Sequence, residues 1–196
     1  MDTNIYNAPE ADLGKDSTGE AEFYVVSKTK FLILYFGTCG IYSIYWFYRH
    51  WKEYKLTSGE KMLPVLRAIF SIFFTYPLFT TIQSRIEEAK LSYQWHPILM
   101  AVTYIVVALA NYISDRLSAL TSEVSIFDFI SLALMPIMAL PLFSAQKAAN
   151  LACGDRLGES NAKFTLLNFL WLLFGAVIWG MVFLGAYAAL TKPSIG

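Results

Sequence analysis

The sequence predicts an all-α, polytopic integral membrane protein: one helical bundle with five apolar segments, the first two read as re-entrant or interfacial. Three observations predict it. Of 196 residues, 56% are hydrophobic and mean hydropathy is +0.47, whereas ordinary soluble domains run about 45–50% apolar. Apolar runs recur at 31–48, 63–82, 97–114, 124–143 and 164–190. Aromatic residues reach 16% and gather in those runs, where an apolar ring with a polar tip suits the lipid–water interface.

Residues 1–27 carry Asp2, Glu10, Asp12, Asp16, Glu20 and Glu22 among Asn, Gly and Ser, so the expectation is a disordered acidic tail. No basic stretch, apolar core and cleavage site follow one another there, so no cleaved signal peptide is expected. The membrane domain is placed at 28–191, with a short tail at 192–196. Ser27 is the expected N-cap of its first helix.

The first run, FLILYFGTCGIYSIYWFY, is uncharged between Lys30 and Arg49, and Gly37-Thr38-Cys39-Gly40 splits it into two short halves. On a helix from Ile41 onward, Tyr42, Tyr45, Trp46, Arg49 and Glu53 share one face. That face, with its phenols, indole N–H and an i,i+4 ion pair, is the candidate interaction face for headgroups or a protein partner. Ile44, Phe47, Trp51 and Tyr48 fall on the other side and are expected to meet lipid. The second run, 63–82, has Pro64 at a first-turn position, Arg67 one turn in and Pro77, which should kink or end the helix.

The third run begins at Pro97, is long enough to cross a bilayer of about 30 Å, and carries Asn111 and Asp115 near its far end. The fourth holds Asp128 one turn in, at a helix N-terminus or in a functional path, and continues as an alanine-rich helix. Gly154 is the expected C-cap, and Ser160 or Asn161 the N-cap of the fifth. In the fifth run Asn168 is polar, and Ala176/Gly180 and Gly185/Ala189 are small pairs that permit close helix approach. Arg67, Asn111, Asp115, Asp128 and Asn168 are the candidate intramembrane polar residues.

Basic residues weigh the topology. Five spans would divide them eight against six, whereas two runs that return to their own side divide them twelve against two, with only Arg116 and Lys192 outside. The positive-inside rule then places the N-terminus and the 144–163 connector in the cytoplasm. Net charge is zero, so there is no electrostatic footprint for nucleic acid, and none is expected as a partner. Cys39 and Cys153, and His50 and His96, have no disulfide or metal-ligand spacing; no cofactor is expected. There is no phosphate loop, H-E-x-x-H, G-x-S-x-G or C-x-x-C, so no enzyme is expected.

The string Thr38-x-Gly40-Ile41-Tyr42-x-x-Tyr45-Trp46-Phe47-Tyr48 resembles the signature of small bacterial inner-membrane proteins classed as a domain of unknown function. Pro64, Arg67-Ala68, Gln146, Asn150 and Asn161 resemble further positions of such proteins, and the similarity spans roughly residues 23–187. The tail NIYNAPEADL resembles an Asn-Pro-Tyr-x-x-Pro opening, with Ile5 in place of the proline. The resemblance implies a bacterial inner-membrane location and brings no activity. Two functions follow as expectations. One is a non-enzymatic scaffold contacting lipids, anionic headgroups at its basic connectors, and a protein partner or second copy. The other is a small transporter or channel with a polar path through the five intramembrane residues.

Overall fold

The structure is a computed structural model, and it describes residues 21–121 and 125–191. Seven helices follow in order: α1 (Lys28–Gly37), α2 (Tyr42–Ser58), α3 (Pro64–Ile69), α4 (Ser71–Glu88), α5 (Pro97–Ser118), α6 (Ile126–Ala152) and α7 (Leu166–Thr191), with a 3-10 turn at Glu159–Asn161. Three are long and apolar enough to cross a membrane: Pro97–Ser118, Ile126–Ala152 and Leu166–Ala188. The five apolar runs therefore yield three candidate spans, because the first two runs are broken into pieces shorter than a bilayer requires.

The first run is a helical hairpin. Ser27 caps α1 by accepting from Lys30 N, as expected. The helix ends where Gly40 N donates to Tyr35 O at 2.8 Å, with Cys39 and Gly40 both at positive φ (51° and 82°). Glycine meets that requirement without a Cβ clash, whereas Cys39 carries some strain. Thr38 Oγ1 closes the turn, donating to Leu34 O and accepting from Tyr42 N. Ring contacts then pair the two limbs in reverse order: Phe31 with Trp46, Tyr24 with His50, and Phe23 with Tyr54. Entry and exit of the hairpin thus lie at the same end of the bundle.

The second run breaks at Phe70 (φ −96°, ψ 39°), and α4 continues past Pro77, where a kink or an early end was expected. Pro64 opens α3 at its first turn. Thr80 and Thr81 hydroxyls both donate to the Pro77 carbonyl, side-chain bonds that run alongside the helical ladder there. At its far end α4 brings Arg85 to Glu22 at 2.7 Å, so it too finishes at the hairpin's open end.

The core gathers Phe23, Phe31, Tyr35, Trp46, Trp51, Phe79 and the Leu142–Ala149 stretch of α6. Phe47 and Trp51, expected against lipid, are buried instead: Phe47 packs on Tyr104 of α5 and Trp51 on Phe74 of α4. Ile44, at 52% exposure, does face outward. The tail expected over 1–27 lies outside the described residues for 1–20, and its last part is part of the core, with Phe23 and Val26 wholly buried. The 192–196 tail lies outside the described residues.

The candidate span α7 stands apart. It meets the bundle through α1, and it makes no close backbone approach to α6 among the described residues. The seam is Gly37 against Gly175, where a Cβ on Gly175 would land on the Gly37 carbonyl. Trp179 Nε1 donates to Phe36 O at 2.9 Å, satisfying a carbonyl of the α1 C-terminus. Of the small residues singled out in the sequence, Gly180 and Gly185 have open space around them, so Gly175 makes the close contact.

Candidate functional site

Two polar layers are built on α6, separated by the uncharged stretch from Leu132 to Phe143, about 18 Å at 1.5 Å per residue.

The first layer is a buried clasp at the hairpin's open end. Gln146 and Asn150, one turn apart on α6, are both wholly buried. Gln146 Oε1 accepts from Trp46 Nε1 and lies 3.3 Å from His50 Nε2. Its Nε2 donates to Tyr24 O (2.9 Å) and Asn150 Oδ1 (2.7 Å). Asn150 Nδ2 donates to Val26 O at 2.9 Å and its Oδ1 accepts from Val26 N. Asn161 Nδ2 donates to Val25 O at 2.8 Å, and a Cβ on Gly158 would strike the Val26–Ser27 backbone. Three amide side chains thus hold a non-helical segment, Tyr24–Val26, by its main chain. Every Gln146 hydrogen-bonding atom is used, which is the condition for a buried amide to stabilise rather than destabilise.

Charges sit around the clasp. Lys30, 2% exposed, donates from Nζ to Asn161 Oδ1 (2.6 Å) and Lys163 O (2.7 Å), with no carboxylate partner among the described residues, and burial pulls its pKa down. Burial pushes His50 down to about 3, so it is a neutral imidazole. With Gln146 Oε1 as acceptor its proton belongs on Nε2, and Nδ1 has no partner. No His/Cys/Asp/Glu group among the described residues has the geometry of a metal site.

The candidate interaction face is assembled but turned inward. Tyr42 and Trp46 are buried, and Tyr24 OH meets Tyr42 OH at 3.3 Å. Arg49 bonds Glu53 (2.6 Å) and Tyr45 OH (3.0 Å) and lies over the Tyr24 ring at 4.8 Å. The chain itself thus covers the Tyr42 and Trp46 part of this face, through Tyr24, Phe31 and Gln146, while Tyr45, Arg49 and Glu53 stay half-buried.

The second layer, at the opposite end of α6, brings together three of the five candidate intramembrane residues. Asp115 accepts from Asn111 Nδ2 (3.0 Å) and Ser131 Oγ (2.6 Å). Asp128 caps α6 in a capping box with Ser125 and accepts from Ser118 Oγ at 2.6 Å, the helix-terminus role foreseen for it. These groups line a cavity of about 700 Å³ between α6, α7 and the hairpin turn. Arg67 and Asn168 lie elsewhere. Arg67 stacks over Trp51 at 4.3 Å, and Asn168 Oδ1 accepts from Thr165 N and Oγ1 at the start of α7. The N-cap position expected of Ser160 or Asn161 thus falls to Thr165, just before Leu166, and Asn168 on the first turn of α7 reaches back to it.

Sequence reasoning missed Lys30 and His50 as members of the clasp. It reached Gln146, Asn150 and Asn161 only through the resemblance. A local signal does exist: Gln146 and Asn150 repeat at i,i+4 on a stripe with Ala145, Ala148 and Ala149, a polar pair where small residues let another backbone approach. Comparison with protein-family models, curated proteins and solved structures finds no match to this chain.

Proposed function

We propose that this chain is a non-enzymatic membrane scaffold of the bacterial inner membrane, N-terminus in the cytoplasm, that contacts lipids and a partner. The observation that carries the reading is the separation of its polar groups into two layers on α6. Across the intervening stretch, Leu132 to Phe143, α6 offers no polar side chain, and Arg67 and Asn168 join neither layer. A transporter needs its polar groups to converge on one path. The clasp, for its part, has every hydrogen-bonding atom of Gln146 paired within the chain, as a structural joint would.

Orientation follows from charge. The hairpin's open end, the α4 C-terminus and the 153–163 loop share one end of the bundle, and the charge split of twelve against two supports that end as the cytoplasmic one. Anionic headgroups are the lipids such a rim attracts.

The test is flux and labelling together. Vesicles reconstituted with the protein and loaded with a pH-sensitive dye should show no proton or cation flux above empty vesicles. Flux present in wild type and lost in Asp128→Asn would overturn the scaffold reading. Cysteines placed at Ser58 and Ser92 should resist a membrane-impermeant thiol reagent in intact spheroplasts, and labelling at Ser58 would reject the returning hairpin.

A further inference from the structure

We propose that the cavity between α6 and α7 is a binding site for a single amphiphile with an apolar tail and a primary ammonium head. This deepens the lipid-contacting reading and rests on α5–α7 crossing the membrane.

The shape comes first. Because α7 is held through α1, it leaves α6 below the hairpin turn, and the gap is roofed by Tyr35, Cys39 and Gly40. Along α6 the lining runs from Met138 to Asp128, ten residues or about 15 Å. That is one leaflet of a bilayer core about 30 Å thick, so a tail of ordinary lipid length fits it end to end. The volume, about 700 Å³, lies in the range of small-molecule sites, about 300–1,000 Å³.

The chemistry grades along that length. Near the turn the walls are Met135, Met138 and Ile178, with the Tyr35 hydroxyl already donating to Met135 O at 3.1 Å. Methionine walls re-pack around flexible chains. Leu132 also lines the cavity, and its carbonyl loses its helical donor because Pro136 has no N–H. At the other end stand Asp115 and Asp128, and among the described residues no basic side chain lines the cavity. The nearby Arg116 donates to Tyr112 OH, at 3.1 Å. Each carboxylate accepts two or three hydrogen bonds from neutral donors, and a carboxylate offers about four lone-pair sites. Acceptor capacity and two negative charges remain at the mouth of an apolar slot. A primary ammonium head, with three N–H donors and one positive charge, complements both. An anionic or hydroxyl head does not.

The head has two sources: a phosphatidylethanolamine of the surrounding leaflet, or a free aliphatic amine. Native mass spectrometry of the detergent-solubilised protein distinguishes them. Dodecylamine and dodecanol form one arm, phosphatidylethanolamine and phosphatidylglycerol the other. The expected result is one bound amine or ethanolamine lipid per chain, preferred over the neutral or anionic counterpart by about tenfold or more, the value of a charge-assisted hydrogen bond. Binding of dodecylamine alone assigns the site to a free amine, and binding of both to the bilayer lipid. Asp115→Asn and Asp128→Asn should each erase the preference. Asparagine keeps a capping oxygen for Ser125, so the fold survives, and Val182→Trp should block the slot without touching either carboxylate. Equal binding of amine and alcohol, no binding of any probe, or a preference unchanged in both Asn variants would each overturn the proposal. If flux is absent and Ser58 is protected while no probe binds, the scaffold reading stands and this site alone falls.

Discussion

Replacing Gln146 with leucine should unlatch the N-terminal segment. Leucine approximates the volume of glutamine but supplies no hydrogen bonds. The change strands Trp46 Nε1–H, His50 Nε2–H and the Tyr24 carbonyl, in a place where Gln146, Trp46 and His50 have no measurable exposure. Asn150 Oδ1 keeps the Val26 N–H, so that acceptor is not orphaned. Each stranded buried group costs about 1–3 kcal/mol. The losses are not additive, because His50 and Trp46 can shift toward one another once the shared acceptor is gone. A destabilisation of about 3–5 kcal/mol is expected. Thermal unfolding in detergent, followed by tryptophan fluorescence, measures it. Limited proteolysis supplies the local readout: cleavage near Phe23–Tyr24, blocked in wild type, should appear in the variant well below the midpoint of global unfolding. Asn111→Leu at the exposed far layer is the control, expected to change stability by about 1 kcal/mol or less. A Gln146→Leu protein within about 1 kcal/mol of wild type, with the segment still protected, would refute the clasp.

Acid should loosen the same joint. The His50 pKa lies near 3 when folded and near 6.5 in the unfolded chain, so its contribution is whole above pH 6.5. Below that the unfolded chain binds the extra proton, and stability falls by about 1.4 kcal/mol per pH unit until pH 3; His50→Gln should flatten the slope of the detergent-unfolding midpoint against pH. Gly175→Val should push α7 off the hairpin turn, seen as loss of protection at Phe36 and Trp179, whereas Gly180→Ala, with open space around it, should be neutral or stabilise the helix by up to about 1 kcal/mol. Trp46→Leu should lower yield and melting temperature far more than Ile44→Leu, because Trp46 is buried with its N–H bonded and Ile44 is half exposed; equal behaviour of the two would count against an organised aromatic core.

What could be read from the sequence was local. Ser27 as a cap, Pro64 in a first turn, Gly40 in a break, Asp128 at a helix start and the length of the last three helices each depend on neighbours within a few residues. The failures share a different cause. Phe23–Val26 looked like the end of an acidic tail because its binding partners, Gln146 and Asn150, lie more than 120 residues away. Phe47 and Trp51 were assigned to lipid because a helical wheel separates faces without saying which face another helix covers. Pro77 was expected to kink or end its helix, and α4 continues past it, whereas Phe70, with no breaking chemistry of its own, marks the corner between α3, packed on α2, and α4, packed on α5. The grouping of Tyr42, Tyr45, Trp46, Arg49 and Glu53 rests on i,i+3 and i,i+4 spacing, which is local geometry, whereas what covers Tyr42 and Trp46 was not legible.

The two layers have one origin. In a bilayer, lipid tails solvate apolar side chains as well as leucine does, so burial alone holds helices together weakly, and small-residue contacts and satisfied polar groups decide which elements stay associated. A hairpin that enters and returns has no span to keep it in place. Here it is held at its open end by Gln146, Asn150 and Asn161, and at its turn by Gly37 against Gly175 and by the Trp179–Phe36 bond. The turn reaches Gly175, nine residues into α7, a depth of about 14 Å. Above that depth the hairpin fills the space between α6 and α7; below it no described residue does, and the cavity with Asp115 and Asp128 at its mouth is the volume left over. Loosening the clasp should therefore alter the cavity about 20 Å away, since the hairpin turn is both the cavity's roof and the strut that sets the α6–α7 separation. A Gln146→Leu protein that releases its N-terminal segment yet retains amine binding at wild-type strength would show that the two layers are independent.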